Sequence, residues 1–183
     1  MKRVLSMLFA MLCFITLYSC TYFNTSYKLK NFMSKTFNMP DSLLKIHGHD
    51  CVMKGISKLT VPTLIVYIDE NSCTSCKISH LIEYIPLFEK TKENQEFDIM
   101  IIFSPKEADY NRTKNDLILS GFEYPVFLDS KGEFIRLNEN LIPKDSRFHA
   151  FLLNTEYRPV YVGDPTQSGK LWEIFLQTLE DIK

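Results

Sequence analysis

The chain reads Thr63-Leu64-Ile65-Val66-Tyr67-Ile68, then Asp69-Glu70, then Asn71-Ser72-Cys73-Thr74-Ser75-Cys76-Lys77, and the order of these pieces decides the fold. The opening run is β-branched and apolar, the pattern of a buried strand. After the cysteines, Ile78-Ser79-His80-Leu81-Ile82-Glu83-Tyr84-Ile85 sets apolar residues at helical spacing. Pro86 is placed to kink or end that helix. In the order strand, Cys-x-x-Cys, helix, two thiols become chemically useful. Cys73 falls at the helix start, where unpaired backbone N–H groups and the dipole favour a thiolate. Cys76 lies one turn further in, close enough to close a disulfide. The pattern points to redox chemistry.

Downstream, Phe97-Asp98-Ile99-Met100-Ile101-Ile102-Phe103 reads as a second strand that stops at Ser104-Pro105. Residues 106–119 form a mixed helix with Gly121 as its terminator. Tyr124-Pro125-Val126-Phe127-Leu128-Asp129 is a strand and Ser130-Lys131-Gly132 a turn. Phe148-His149-Ala150-Phe151-Leu152-Leu153 and Pro159-Val160-Tyr161-Val162-Gly163 follow as a strand pair, and residues 171–179 close the chain as a helix. Alternating strands and helices followed by a hairpin predict an α/β fold, a central mixed sheet with helices on both faces.

At the other end, Met1-Lys2-Arg3 precedes an apolar run from Val4 to Tyr18. About 15 residues is short for a membrane span, which needs roughly 20, and suits the core of a signal peptide. The run ends in Leu17-Tyr18-Ser19-Cys20. The expected organisation is a leader over 1–19, a tether and short N-terminal element over 20–45, and one domain over 46–183. Loss of Lys2 and Arg3 with the leader leaves 19 basic against 22 acidic residues. That net charge of about −3 gives no reason to expect a nucleic-acid partner.

Five cysteines are present. Cys13 belongs to the leader, and Cys73 and Cys76 are the natural pair by spacing. Cys51 is then a buried free thiol acting as a small hydrophobe, or a third redox partner. A Cys-x-x-Cys also occurs in zinc sites, which normally need a second pair. The only other candidates, His47, His49 and Cys51, alternate along one face of an extended segment. We expect no metal and no cofactor.

The stretch Ile68 to Lys77, the strand Tyr124 to Asp129, the strand Phe148 to Leu153, and Val162-Gly163-Asp164-Pro165 with Trp172 come in an order that resembles the thioredoxin fold. More narrowly, the chain is similar to the TlpA-like, membrane-anchored thiol–disulfide oxidoreductases, notably the lipoprotein members of Bacteroides-type bacteria. Leu17, Ser19 and Cys20 likewise resemble a lipobox, with the bulky Tyr18 as a departure. The resemblance implies a lipid-anchored protein of the cell envelope facing the periplasm, with Cys20 lipidated. Its partners would be exported proteins with thiols or disulfides and a redox partner protein. Cys73 would be the exposed, more acidic thiol and Cys76 the shielded thiol that resolves the mixed disulfide. Ser72, Thr74, Ser75, Lys77, Phe148, His149 and Pro125 would lie near the active site.

Three positions depart from the thioredoxin pattern. Ser72 stands where a Trp usually precedes the first Cys, and Tyr67 where a buried acid usually accepts a proton. Phe148-His149 stands in place of the cis-proline that faces the disulfide, which leaves Pro125 as another residue to face it. Two rival readings use the same residues. One is a copper-handling chaperone with Cys73, Cys76 and His149 as soft ligands. The other is a redox-silent binding module in which Cys73–Cys76 is only a staple.

Overall fold

The computed structural model describes residues 25–183, so the expected leader and Cys20 lie outside the described residues. The chain divides into two compact units, one ending at Ser34 and one running from Lys35 to Lys183. In the first, residues 25–33 form helix α1, closed by a bond from the Ser34 N–H to the Lys30 carbonyl. The second holds a seven-stranded mixed sheet in the order β2-β1-β5-β4-β3-β6-β7. These strands are β1 (Ser42–His47), β2 (Asp50–Gly55), β3 (Thr63–Ile68), β4 (Asp98–Phe103), β5 (Val126–Leu128), β6 (Ala150–Leu153) and β7 (Pro159–Val162). The expected boundary at 45/46 therefore falls inside β1 and needs correcting. Leu43 and Ile46 are both buried core residues, so the domain starts upstream of the expected tether's end.

β3, β4 and β5 are parallel; β1 pairs antiparallel with β5, β6 antiparallel with β3, and β7 antiparallel with β6. Every residue of β3 is buried, as a central strand covered on both faces requires. The crossovers β3 to β4 and β4 to β5 step in one direction across the sheet. Right-handed connections therefore put their helices on one face. These are α2 (Thr74–Ser79), α3 (Ile85–Asn94) and α4 (Tyr110–Ser120). With α6 (Gly169–Asp181) they cover Leu64, Val66, Ile99, Ile101, Val126 and Leu152. The opposite face is aromatic. Phe37 lies 4.8 Å from Phe151 and 6.4 Å from Phe134, the latter on α5 (Glu133–Leu137), and Tyr67 lies 5.4 Å from Phe134.

Two local expectations shift. The helix after the cysteines breaks at His80 rather than at Pro86 and continues as a 3-10 turn over Leu81–Tyr84. Pro86 opens α3 instead, because its missing N–H costs nothing in a first turn. His47, His49 and Cys51 do not share an extended face, since Gly48-His49 is the turn between β1 and β2. His49 Nδ1 lies 3.1 Å from the Ile118 carbonyl and so caps the end of α4. As expected, Gly121 terminates α4, with φ 61° in the left-handed region.

Candidate active site

The site begins where Ile68 leaves the sheet. Asp69 folds the next residues into a tight turn. Its carboxylate accepts from the Ser72 hydroxyl at 2.7 Å and the Asn71 N–H at 3.2 Å, while its carbonyl accepts from the Ser72 N–H at 3.1 Å. Such side-chain-to-backbone bonds are a property of Asp that favours turns. Burial pushes the Asp69 carboxyl upward, but the bonds from Ser72 and Asn71, with His149 nearby, outweigh it and hold it below its ordinary value. The turn delivers Cys73 to the N-cap of α2 in extended conformation, with φ −68° and ψ 94°.

Cys73 and Cys76 form a disulfide with a Cα–Cα separation of 5.3 Å. The Ser75 hydroxyl lies 3.8 Å from Cys73 Sγ. Thr74 is half-buried, and Lys77 is exposed with its N–H bonded to the Cys73 carbonyl at 3.0 Å. Ser72 is spent on Asp69. The expectation of a shielded Cys76 is corrected here, because both cysteines are exposed. No residue of α2 is buried, and only Ile78 packs partly against the core, so this six-residue helix leaves Cys76 as well as Cys73 exposed.

Behind the turn, on the aromatic face, Tyr67 is buried and its phenol is pushed up to about 12. Burial is the main cause, a bond with Ser104 opposes it, and the charges of Asp69, Asp129 and Glu70 add to it. His149 packs edge-on to Tyr67 at 5.6 Å, and its carbonyl accepts the Tyr67 N–H at 2.7 Å. Its Nε2 lies 2.9 Å from the Pro143 carbonyl, so one ring nitrogen is occupied by the scaffold. Phe148 is buried at the end of a 3-10 turn, Ser146–Phe148, and all described peptide bonds are trans.

Pro125 does not fill the place of a facing proline. It precedes Val126, which pairs with Ile101, itself level with Val66. Pro125 thus sits two strands from β3 and at the opposite end of β5 from the edge where the cysteines emerge. Among the described residues no three His, Cys, Asp or Glu side chains are arranged to hold a metal ion. Of the ligands in the copper reading, Cys73 and Cys76 are bonded to each other and His149 Nε2 meets the Pro143 carbonyl. Cys51 is a half-buried free thiol on β2. Four strand spacings, roughly 19 Å, separate β2 from β3, which removes Cys51 as a direct third partner.

Sequence reasoning missed a groove beside the disulfide. It occupies about 730 Å³ between α2, α4 and the loop 121–124. Ser75, Ile78, Ile82, Leu119, Phe122 and Glu123 line it. Ile82 is 67% exposed and Leu119 79% exposed. Helical spacing in 78–85 flagged Ile78 and Ile82, but nothing in the sequence joins them to residues near 120.

No protein-family model matches the chain, and no curated protein matches it significantly. Solved structures do. A protein assigned as the thiol:disulfide interchange protein DsbE from Chlorobium tepidum aligns with TM-score 0.52 and 14% identity, covering 79% of this chain and 98% of that one. An AhpC from Enterococcus faecalis aligns with TM-score 0.50 and 13% identity, covering 79% and 89%. An uncharacterized thioredoxin-like protein from Porphyromonas gingivalis gives 0.48 and 21%, covering 80% and 93%. At these identities the likeness concerns the fold alone. The chain has a thioredoxin-like fold with a Cys73–Cys76 disulfide at the start of the helix that follows its central strand.

Proposed function

We propose that the protein is a membrane-anchored thiol–disulfide oxidoreductase of the cell envelope that works through Cys73 and Cys76. The observation that carries this reading is that Cys73 and Cys76 are both exposed residues at the start of α2. A disulfide kept only as a staple gains nothing from such a position. Among the described residues no helix is long and apolar enough to cross a membrane. The anchor in this reading is a lipid on Cys20, and the substrates are exported proteins carrying thiols or disulfides.

In the reductive direction the Cys73 thiolate attacks one sulfur of a partner disulfide. The partner's other sulfur leaves as a thiolate and takes up a proton. Cys76 then gives up its proton and attacks Cys73 Sγ, releasing the partner's second sulfur. The protein ends with Cys73–Cys76 oxidised and the partner with two thiols, so two electrons have passed to the partner. The reverse sequence oxidises a dithiol. A redox partner protein restores the starting state. The Ser75 hydroxyl and the N–H groups of the first turn stabilise the Cys73 thiolate. Tyr67, with its phenol at about 12, cannot serve as proton acceptor for Cys76 near neutral pH. Cys76 is exposed, so solvent takes that proton directly and a buried acid is dispensable.

Trapping tests the reading. In cells, Cys76→Ala leaves Cys73 unable to resolve, so covalent adducts with exported proteins accumulate; with Cys73→Ala they are several-fold scarcer. Adduct-free gels for both variants would replace the enzyme with the redox-silent module. Incorporation of a fatty-acid analogue tests the anchor. Wild type should take up the label, and equal labelling of Cys20→Ala would remove Cys20 as the lipid site.

A further inference from the structure

The groove against α2 is positioned to select what reaches the disulfide. It is open, and at about 730 Å³ it is comparable to ligand sites, which run from about 300 to 1,000 Å³. One wall is the face of α2 and the turn after it, with Ser75, Ile78 and Ile82; the other is the end of α4 with Leu119 and Phe122. Neither cysteine lines the groove, but Ser75 does, and its hydroxyl lies 3.8 Å from Cys73 Sγ, so the groove ends one side chain from the sulfur. Ile82 and Leu119 are large apolar side chains left mostly in water on facing elements. Scattered exposed apolar residues need no explanation, but a pair on opposite walls of a groove marks a binding surface. The two carboxylate residues that line it, Asp116 and Glu123, give it an acidic rim with no lysine or arginine among the lining residues.

Resting on the exchange reading above, we infer that this groove docks the partner polypeptide, as an extended segment with apolar side chains next to its cysteine and a basic residue beyond them. The apolar residues cover Ile82, Leu119 and Phe122, and the cation meets Asp116 and Glu123. With the segment seated there, its cysteine lies over Ser75 and within reach of Cys73. Selection in this scheme comes from α4 and the loop 121–124, while the chemistry comes from α2. Burial of Ile82 and Leu119 favours binding in proportion to the area covered. The acidic rim rejects acidic segments by like-charge juxtaposition.

The test uses the full reduced protein and two synthetic disulfide peptides, one with Leu and Lys flanking its cysteine and one with Ser and Glu. Bis(2-hydroxyethyl) disulfide serves as an uncharged substrate too small to fill the groove. We expect the Leu/Lys peptide to be reduced about tenfold faster, judged by kcat/KM. The preference should fall below threefold in the double variant Ile82→Ser, Leu119→Ser, and Glu123→Lys should remove its charge component. All three substituted positions are exposed, and the rate with bis(2-hydroxyethyl) disulfide should stay within twofold of wild type in each variant. Exchange without preference, or a preference that survives these variants, overturns the docking site alone. Failure to exchange with any of the three, whether the reduced protein is offered the disulfide or the oxidised protein the corresponding dithiol, overturns the exchange reading and this inference with it.

Discussion

The turn that presents Cys73 and the buried polar residues that flank β5, α5 and β6 use polar side chains in opposite ways. In front, Cys73, Ser75, Cys76 and Lys77 are exposed, and Asp69, Asn71 and Ser72 hold the turn. Behind, the polar groups are tied into the scaffold. His149 Nε2 meets the Pro143 carbonyl. The Asp129 carboxylate accepts the N–H groups of Lys131, Glu133 and Phe134, fixing the start of α5. Buried Asn138 exchanges bonds with Asn38 at 2.8 Å in each direction, which clamps the strand-free segment before β1 onto α5. The difference teaches that the chemistry sits on the rim and the aromatic face keeps the rim in place. Changes behind should therefore cost stability and spare exchange, and changes in front should do the reverse.

The largest expected stability effect is that of Phe134→Ala. Phe134 is fully buried against Phe37 and Tyr67, so the loss should be about 3–5 kcal/mol. Denaturant unfolding reads it, and the fraction still folded should exchange disulfides at the wild-type rate. Asp129→Ala comes next. It strands three N–H groups at the start of α5, at a cost of about 1–3 kcal/mol. A slowed exchange rate in folded Asp129→Ala protein would break the division between front and back.

Tyr67 supplies a pH test. Its folded phenol is raised to about 12 from an unfolded 10.0. The neutral form is thus favoured in the fold, and this contribution is complete below pH 10 and lost as pH rises toward 12. Tyr84 and Tyr161 are also raised, chiefly by burial, so the informative quantity is the difference between wild type and Tyr67→Phe. The variant should lose less stability between pH 10 and 12, as read by chemical unfolding. Equal slopes would mean that Tyr67 already meets solvent. The smallest effect is in front. Ser75→Ala removes one weak donor beside Cys73 Sγ and should slow alkylation of Cys73 at neutral pH by about threefold, since such a bond contributes about 0.5–1.5 kcal/mol, with stability unchanged.

The strands and the motif were legible because their signals are local. β3, β4 and β6 are unbroken apolar runs, and Gly121 announces the end of α4. The hairpin of β1 and β2 was obscured because β2 is an exposed edge whose only partly buried residue is Cys51, so it carries no alternating pattern to read. Pro86 misled because one residue type both ends helices and begins them. The candidate site was legible as a pair of sulfurs, but their exposure was not. That depends on how far α2 stands from the core, which spacing within the motif does not encode. The groove was illegible for a further reason: Ile82 and Leu119 meet only through the one-sided placement of two crossovers.

The central claim is that Cys73–Cys76 is a working redox couple on the rim. Its reduction potential, measured by equilibrating the full chain with a series of glutathione redox buffers and counting free thiols, tests this most directly. The account predicts a reversible two-electron transition above about −300 mV, with Cys73 and Cys76 as the only thiols that change; a pair that stays oxidised below about −300 mV, as structural disulfides do, would contradict it.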